Sequence, residues 1–355
     1  MFRWLFPKKK VQPNGETAAQ AKKVNHQPPA HKAGGNATAL SKAHLLLLSK
    51  FLQSESRDRF SGDDNWSAVL KEPAGKAVDR LLDIGLIEPC DLEGLLEAKF
   101  RVPELKQLLK ESGLKVSGKK GELVKRLADE NRETARRAVG DFKAFICTSE
   151  GGRLASDFVA QEKAEKDAAD QMIASCLRVG DYSGAATARY QFEKNRVFSA
   201  GLGIDWASLD TKQHAQSLSK IFENTPSILD GMQEEVISEL RIAAAMDMLW
   251  GTNRASAYLP KGFRTGHRLN ADTAARMMIF HSYSLQRLER YRQSGADSIE
   301  VSGVEDGRHC DACREIQGKR FSIKNPPELP FPKCTCEIGC RCSYLVRRPG
   351  MRPER

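Results

Sequence analysis

Apolar residues fall at helical spacing along most of the chain, and residues 102–127 (VPELKQLLKESGLKVSGKKGELVKRL) show this most compactly. Leu105, Leu108 and Leu109 share one helix face, and Leu123, Val124 and Leu127 share another. Pro103 suits a first helical turn, Gly113 a stop, and Ser117 a cap for the second helix. Leu114 and Val116 are expected to fold back onto the small core between the stripes. A hairpin of this size buries little surface by itself. Two stripes lie just upstream. Ala77, Val78, Leu81, Leu82 and Ile84 end at Gly85, and Leu92, Leu95 and Leu96 follow a potential cap at Asp91. The expectation is that residues 74–100 pack on the hairpin as one four-helix unit. Further upstream, residues 38–53 predict a helix around Leu45 to Leu48, and 54–67 read as a polar loop carrying Trp66.

Downstream the helical pattern continues. Helices are predicted over 131–144, 153–175, 182–195, 213–222, 228–249 and 270–295, with a turn at 202–208 holding Trp206. The 228–249 helix is apolar around most of its circumference, which marks a core helix. Residues 298–304 (SIEVSGV) alternate and predict a strand, and 318–323 predict a second. The fold class is therefore mainly α and multidomain. Residues 1–40 are expected to form a disordered basic arm, 74–130 a helical N-terminal domain, 131–297 a helical middle domain, and 298–348 a small β-containing cysteine-rich segment.

Charge adds a partner class. The net charge is +10, and it is concentrated. Residues 1–43 hold eight Lys/Arg against one Glu, and 101–126 hold eight against three. Residues 303–355 hold eleven against seven acids. Clustered positive charge favours a polyanion such as nucleic acid over general solubility. No apolar run approaches a membrane span, and the apolar tip at residues 1–6 is too short for a signal-peptide core. A cytoplasmic protein without a membrane partner is expected.

With these residues in view, the hairpin resembles the SAP motif, a helix–extended loop–helix module that binds DNA and sometimes RNA. The resemblance rests on Glu104-Leu105-Lys106, Leu109, Gly113-Leu114, Ser117-Gly118-Lys119-Lys120, Glu122-Leu123 and Arg126-Leu127. It implies nucleic-acid contacts from Lys106, Lys115, Ser117, Gly118, Lys119, Lys120, Lys125 and Arg126. Backbone N–H groups around residues 118–120 can bind a phosphate, and the cations add charge. Nothing in the stretch resembles a base-reading helix, so binding of limited sequence preference is expected.

Six of the nine cysteines lie between Cys310 and Cys342. Without a signal peptide, such clustering favours a metal over disulfides. Cys310-x-x-Cys313 has the bite of half a tetrahedral zinc site. After a gap of 20 residues come Cys334-x-Cys336 and Cys340-x-Cys342. Gly339 permits the tight turn that would let several thiolates face one ion. A structural zinc is expected. Cys310 and Cys313 are its firmest ligands, joined by Cys334 or Cys336 and by Cys340 or Cys342. One from each pair is the simpler choice, because both sulfurs of a Cys-x-Cys need a strained loop. His309 is expected to stand by, since its neighbour Cys310 points at the site. Cys90, Cys147 and Cys176 read as small buried apolar residues.

The same segment resembles the C-terminal part of phage head-morphogenesis proteins of the Mu-F-like type. It follows their order of long helix (270–295), strand (298–304) and Asp306, then Cys310-Asp311-Ala312-Cys313 and Gly318-Lys319-Arg320-Phe321. Pro326-Pro327 to Pro332 and Cys340-Arg341-Cys342 complete it. The family usually carries a His shortly before Cys-Arg-Cys. This chain has Phe331-Pro332-Lys333 and an additional Cys334-Thr335-Cys336 there. The resemblance implies a bacterial or phage-encoded protein with phage head or portal proteins as partners.

Catalytic signatures are few. Gly118-Lys119-Lys120-Gly121 lacks the spacing of a nucleotide-binding loop, and no nucleophile elbow or HExxH helix occurs. Glu305, Asp306, His309 and Asp311 could serve a metal-dependent nuclease. They also read as an acidic turn before a zinc whose four thiolates leave no open position. The sequence thus favours a nucleic-acid-binding protein without catalytic activity. A head-morphogenesis component and a metal-dependent DNA-processing enzyme are the alternatives.

Overall fold

The structure is a computed structural model, and it describes residues 40–60, 62–199, 211–304 and 307–346. Nearly all of the basic arm expected over 1–40, and the Trp206 turn, lie outside the described residues. Among these residues there are thirteen α-helices and five short strands, so the chain is mainly α.

The first core is built by α1 (Lys42–Leu48), α2 (Asp64–Leu70) and α3 (Ala74–Asp83). Trp66 belongs to α2 rather than to the polar loop expected over 54–67. The Asp63 carboxylate accepts from the N–H groups of Asn65 and Trp66 and starts that helix. Phe51, Phe60 and Trp66 then pack in tilted and edge-to-face contacts, with successive ring centroids 5.6 Å apart. Ala77, Val78 and Leu81 of α3 join this cluster.

The chain next forms β1 (Ile87–Pro89), then α4 (Leu92–Lys99), α5 (Val102–Glu111), α6 (Lys120–Glu130) and α7 (Arg132–Val139), and returns through β2 (Phe145–Cys147). β1 and β2 pair antiparallel, with Ile87 opposite Cys147 and Pro89 opposite Phe145. The four helices between them are thus an insertion whose two ends are held side by side. They enclose their own core, made by Leu96, Leu105, Leu109, Leu123, Val124, Leu127, Ala128, Ala135 and Val139. A four-helix unit does surround the hairpin, but its fourth member is α7. α3 does not contribute, because its stripe is already buried in the first core.

α8 (Ser149–Arg178) has 30 residues and so runs for about 45 Å. Its Ala155 packs in the first core, and its Ile173 and Leu177 pack in another with α9 (Tyr182–Lys194), α10 (Lys212–Glu223) and α11 (Glu234–Trp250). Between these ends it is polar and carries i,i+4 ion pairs such as Lys163–Asp167 and Lys166–Asp170.

α11 explains why the C-terminal segment does not stand alone. Its Ala245, Met246 and Leu249 face α8 and α9, while Leu240, Ala243 and Ala244 face the other way. On that second side lie α12 (Ala271–Gln293) and a small antiparallel sheet. β3 (Ser298–Ser302) is its central strand, between β4 (Arg320–Ser322) and β5 (Ser343–Leu345). A one-and-a-half-turn helix, α13 (Asp311–Ile316), precedes β4. Cys313, Cys334, Cys336, Cys340 and Cys342 are buried in this same core. The helical middle and the cysteine-rich segment, expected as separate domains, share it. No helix among the described residues is long and apolar enough to cross a membrane.

Candidate nucleic-acid interface and cysteine cluster

The α5–α6 hairpin is shaped by local hydrogen bonding. α5 stops at Gly113, whose φ of +69° a side chain would strain. The N–H of Leu114 returns to Leu109 O at 2.8 Å, closing the end of the helix. Leu114 is half-buried in the core, whereas Val116, expected to fold inward, is exposed. α6 begins later than Ser117. Its cap is Lys119, whose N–H donates to the Glu122 carboxylate at 3.1 Å. Ser117 is exposed in the loop instead. Gly118, at φ +134°, lies where a Cβ would come within 2.5 Å of that carboxylate. Glycine therefore lets the loop pass close over the start of α6.

The cations of this region separate into two kinds. Arg126 donates to the carbonyls of Lys115 at 2.6 Å and Ser117 at 3.1 Å, so it braces the loop from the next turn of α6. Lys120 donates to Glu97 O on α4. Lys99, which sequence reading passed over, donates to the last carbonyls of α7, Ala138 O at 2.8 Å and Val139 O at 2.9 Å. These three positive charges are anchored on backbone. Lys106, Lys110, Lys115, Lys119 and Lys125 are exposed, and among the described residues none of them forms an ion pair. Lys115 and Lys119 stand on the loop and Lys125 on α6. The geometry predicts that Arg126→Ala lowers stability by about 1–2 kcal/mol, the worth of charge-assisted hydrogen bonds, and weakens binding by loosening the loop. Chemical denaturation beside a binding titration checks this.

At the other end of the chain, the six clustered cysteines converge. The sulfurs of Cys310, Cys313, Cys334 and Cys336 lie within 4.8 Å of one another, and so do those of Cys313, Cys340 and Cys342. Both members of each Cys-x-Cys pair therefore face the cluster. The loop accommodates this because it is held from outside. Arg268 donates to Cys334 O, and Arg276 donates to Ile338 O at 2.9 Å. The N–H of Cys340 donates to the Met277 sulfur at 3.2 Å. Gly339, at φ +81°, sits where a Cβ would come within 2.6–2.8 Å of the Met277 thioether. These braces come from α12 and the residues before it, more than 60 positions away along the chain. No local sequence signal could have shown them.

Backbone N–H groups aim at the sulfurs, as suits thiolates. Thr335 N donates to Cys310 Sγ at 3.3 Å, Cys310 N to Cys336 Sγ at 3.3 Å, and Phe331 N to Cys340 Sγ at 3.2 Å. Burial raises the Cys310 thiol, but the Thr335 and Cys313 hydrogen bonds outweigh it and hold the group down at about 6. Hydrogen bonds from Cys313, Cys334 and Cys342 pull Cys340 far down as well, and Cys313 is pushed up in exchange. Cys334 and Cys342 are also raised, so the cluster holds its negative charge on Cys310 and Cys340 while Cys313, Cys334 and Cys342 keep their protons. Cys90, Cys147 and Cys176 stand apart and are half-buried rather than buried; burial pushes the Cys147 thiol up to about 11.

Of the acidic constellation, Glu305 and Asp306 lie outside the described residues. Asp311 is exposed and pairs with Arg314. His309 is buried, with its ring where a Cβ on Gly303 would approach within 2.9 Å, and among the described residues its Nε2 has no hydrogen-bond partner. Neither enters the sulfur groups. A shallow pocket of about 220 Å³ opens near His281 and Glu328. Ser227 already occupies the Glu328 carboxylate through both its N–H and its hydroxyl.

Neither a search among curated proteins nor one among solved structures returns a match to this chain. One part of it is identified: residues 98–131, from the end of α4 to the end of α6, match the SAP domain, so the chain contains a module of the nucleic-acid-binding class.

Proposed function

We propose that this protein binds DNA through the SAP module, without strong sequence preference, and carries zinc in its C-terminal cysteine cluster as a structural element. The observation that carries the first part is the division of cations in the hairpin. Lys99, Lys120 and Arg126 serve the fold, whereas Lys106, Lys110, Lys115, Lys119 and Lys125 project without acidic partners. Phosphates would meet the lysines and the open N–H groups at the start of α6. The Glu122 carboxylate already takes the Lys119 N–H there, so the contribution of the helix start is smaller than the lysine charge. For zinc, the support is the donor set. Thiolate sulfur suits d10 and iron–sulfur centres rather than the hard cations held by oxygen.

If five phosphates are neutralised on duplex DNA, the log–log salt slope is about −4 to −5. The triple variant Lys115→Ala/Lys119→Ala/Lys125→Ala is expected to bring it to about −2, since each phosphate contact contributes roughly 0.9. Fluorescence anisotropy at several salt concentrations measures both, with circular dichroism confirming that the variant is folded. An unchanged slope and affinity would sink the assignment. Duplex RNA and single strands in the same assay decide between DNA and RNA as the partner.

A second reading, a phage head-morphogenesis component, rests on the sequence resemblance of residues 270–342 to Mu-F-like proteins alone. On this reading the SAP module would hold packaged DNA, in a bacterial cytoplasm. Co-purification with portal or capsid protein from an induced prophage supports it, and a protein recovered free of them speaks against it.

A further inference from the structure

Six cysteines are two more than one tetrahedral ion can take. Their arrangement is not a set of four with two spares. The first sulfur group, Cys310, Cys313, Cys334 and Cys336, is complete in number. The second, Cys313, Cys340 and Cys342, shares Cys313 with it. The second group has three sulfurs and needs a fourth, and Cys334, at 1% exposure, is the most deeply buried of the first group's remaining sulfurs. With metal–sulfur bonds of about 2.3 Å, the sulfurs of a tetrahedral site stand roughly 3.8 Å apart. The Cys310–Cys334 separation of 3.9 Å matches this in the first group, and the Cys313–Cys340 separation of 4.0 Å matches it in the second.

From this geometry we infer a binuclear cluster: two divalent d10 ions, with Cys313 and Cys334 as bridging thiolates. One ion is completed by Cys310 and Cys336, the other by Cys340 and Cys342. Two tetrahedral ions need eight ligand positions, and six thiolates supply eight when two of them bridge. Charge balance is consistent with this. Six thiolates around two dications leave a net charge of −2, the same as four thiolates around one. A single ion in the first group would instead strand Cys340 and Cys342, which are 1% and 7% exposed, as a buried pair beside it. Backbone N–H groups reach the sulfurs of Cys310, Cys334, Cys336 and Cys340, so donors suited to thiolate charge line both halves of the cluster. Docking of Gly339 and Cys340 on Met277 fixes the second half of the cluster against α12.

This inference rests on the metal-binding reading of the cluster and adds its nuclearity, and metal content separates the two. The full-length protein, reduced and reconstituted with zinc, is passed through metal-free buffer and measured by elemental analysis. Two zinc ions per chain are expected. One per chain overturns the binuclear site while leaving a four-thiolate site standing. None overturns both readings, and iron with acid-labile sulfide overturns the zinc assignment together with the two-ion cluster. Reconstitution with ¹¹³Cd tests the bridges without any variant. Two equal resonances coupled to each other through sulfur are expected, and two uncoupled resonances would overturn the bridging. The pair Cys340→Ser/Cys342→Ser is expected to retain one ion and Cys313→Ser to retain none. A Cys313→Ser protein that is folded and still holds two ions would overturn the role given to Cys313.

Discussion

Leu123→Ala is expected to destabilise the SAP module by about 2–5 kcal/mol and to remove nucleic-acid binding with it. Leu123 is fully buried in a core of only nine side chains, shared by α4, α5, α6 and α7. A module this small has a margin of about 3–5 kcal/mol, so one large cavity consumes most of it. The binding surface depends on the fold because two of its lysines, Lys115 and Lys119, lie on a loop with no regular structure. That loop is held by Arg126, and its course passes Gly118 over Glu122. Once the core opens, nothing holds the loop that carries Lys115 and Lys119 against the start of α6. The expected signature is an early thermal transition by circular dichroism, loss of anisotropy change on duplex DNA, and unchanged metal content. Lys119→Ala is the counterpart: it weakens binding and leaves the transition in place. An early transition with intact DNA affinity would mean that the nucleic acid binds elsewhere.

The spared metal content follows from topology. The module hangs between β1 and β2, whose pairing brings its two ends together at Ile87 and Cys147. Its core shares no buried side chain with the one that holds the cysteines. The same topology shows how much of this was legible. The stripes of α5 and α6, the stop at Gly113 and the paired motifs of the hairpin came directly from residue spacing. The insertion did not, because a three-residue strand such as Ile87–Pro89 has no periodicity to read. Its partner lies some sixty residues on, and only the ladder reveals it. α3 has an apolar stripe as good as that of α4, and a stripe does not say which core it faces. Lys120 and Lys119 are adjacent and chemically alike. One is tied to Glu97 and the other has no side-chain partner among the described residues, a difference set by the position of α4.

The cysteine segment shows a similar limit. Spacing marked the six sulfurs as a group, and the structure brings all six together. What spacing did not show is the support. A loop containing two Cys-x-Cys pairs looks strained as an isolated peptide. Here Arg268, Arg276 and Met277 hold its backbone, and the loop becomes part of the wall of a large core. The α11 helix is the reason such a wall exists. It buries opposite faces in two clusters, so whatever orders the cysteine loop is linked by packing to the helices that meet α8.

On the proposal that the cluster holds a metal, its removal is expected to have the largest effect on the molecule. Stripping it with a strong chelator under reducing conditions would leave five buried cysteine sulfurs facing one another without a cation, in a core that also contains Met277, Ile299, Val301 and Tyr344. Metal binding contributes folding free energy directly, about 10–16 kcal/mol in zinc-finger peptides that have no structure without it. The gain here is expected to be smaller, because α11 and α12 already pack on each other. It still exceeds the worth of any single side chain. The outcome is local at first. Residues 307–346 lose their packing, the exposed face of α12 becomes accessible, and limited proteolysis cuts between Ser302 and Tyr344. The helix content of α8 to α12 falls little, so far-ultraviolet circular dichroism changes less than the protease pattern. The SAP module keeps its own core and its DNA affinity. Zinc added back in reducing buffer restores protection, whereas magnesium does not, since thiolates discriminate against a hard cation. A protease pattern and melting temperature that do not respond to chelation would show that the cysteines are stable as thiols and that no metal supports this core.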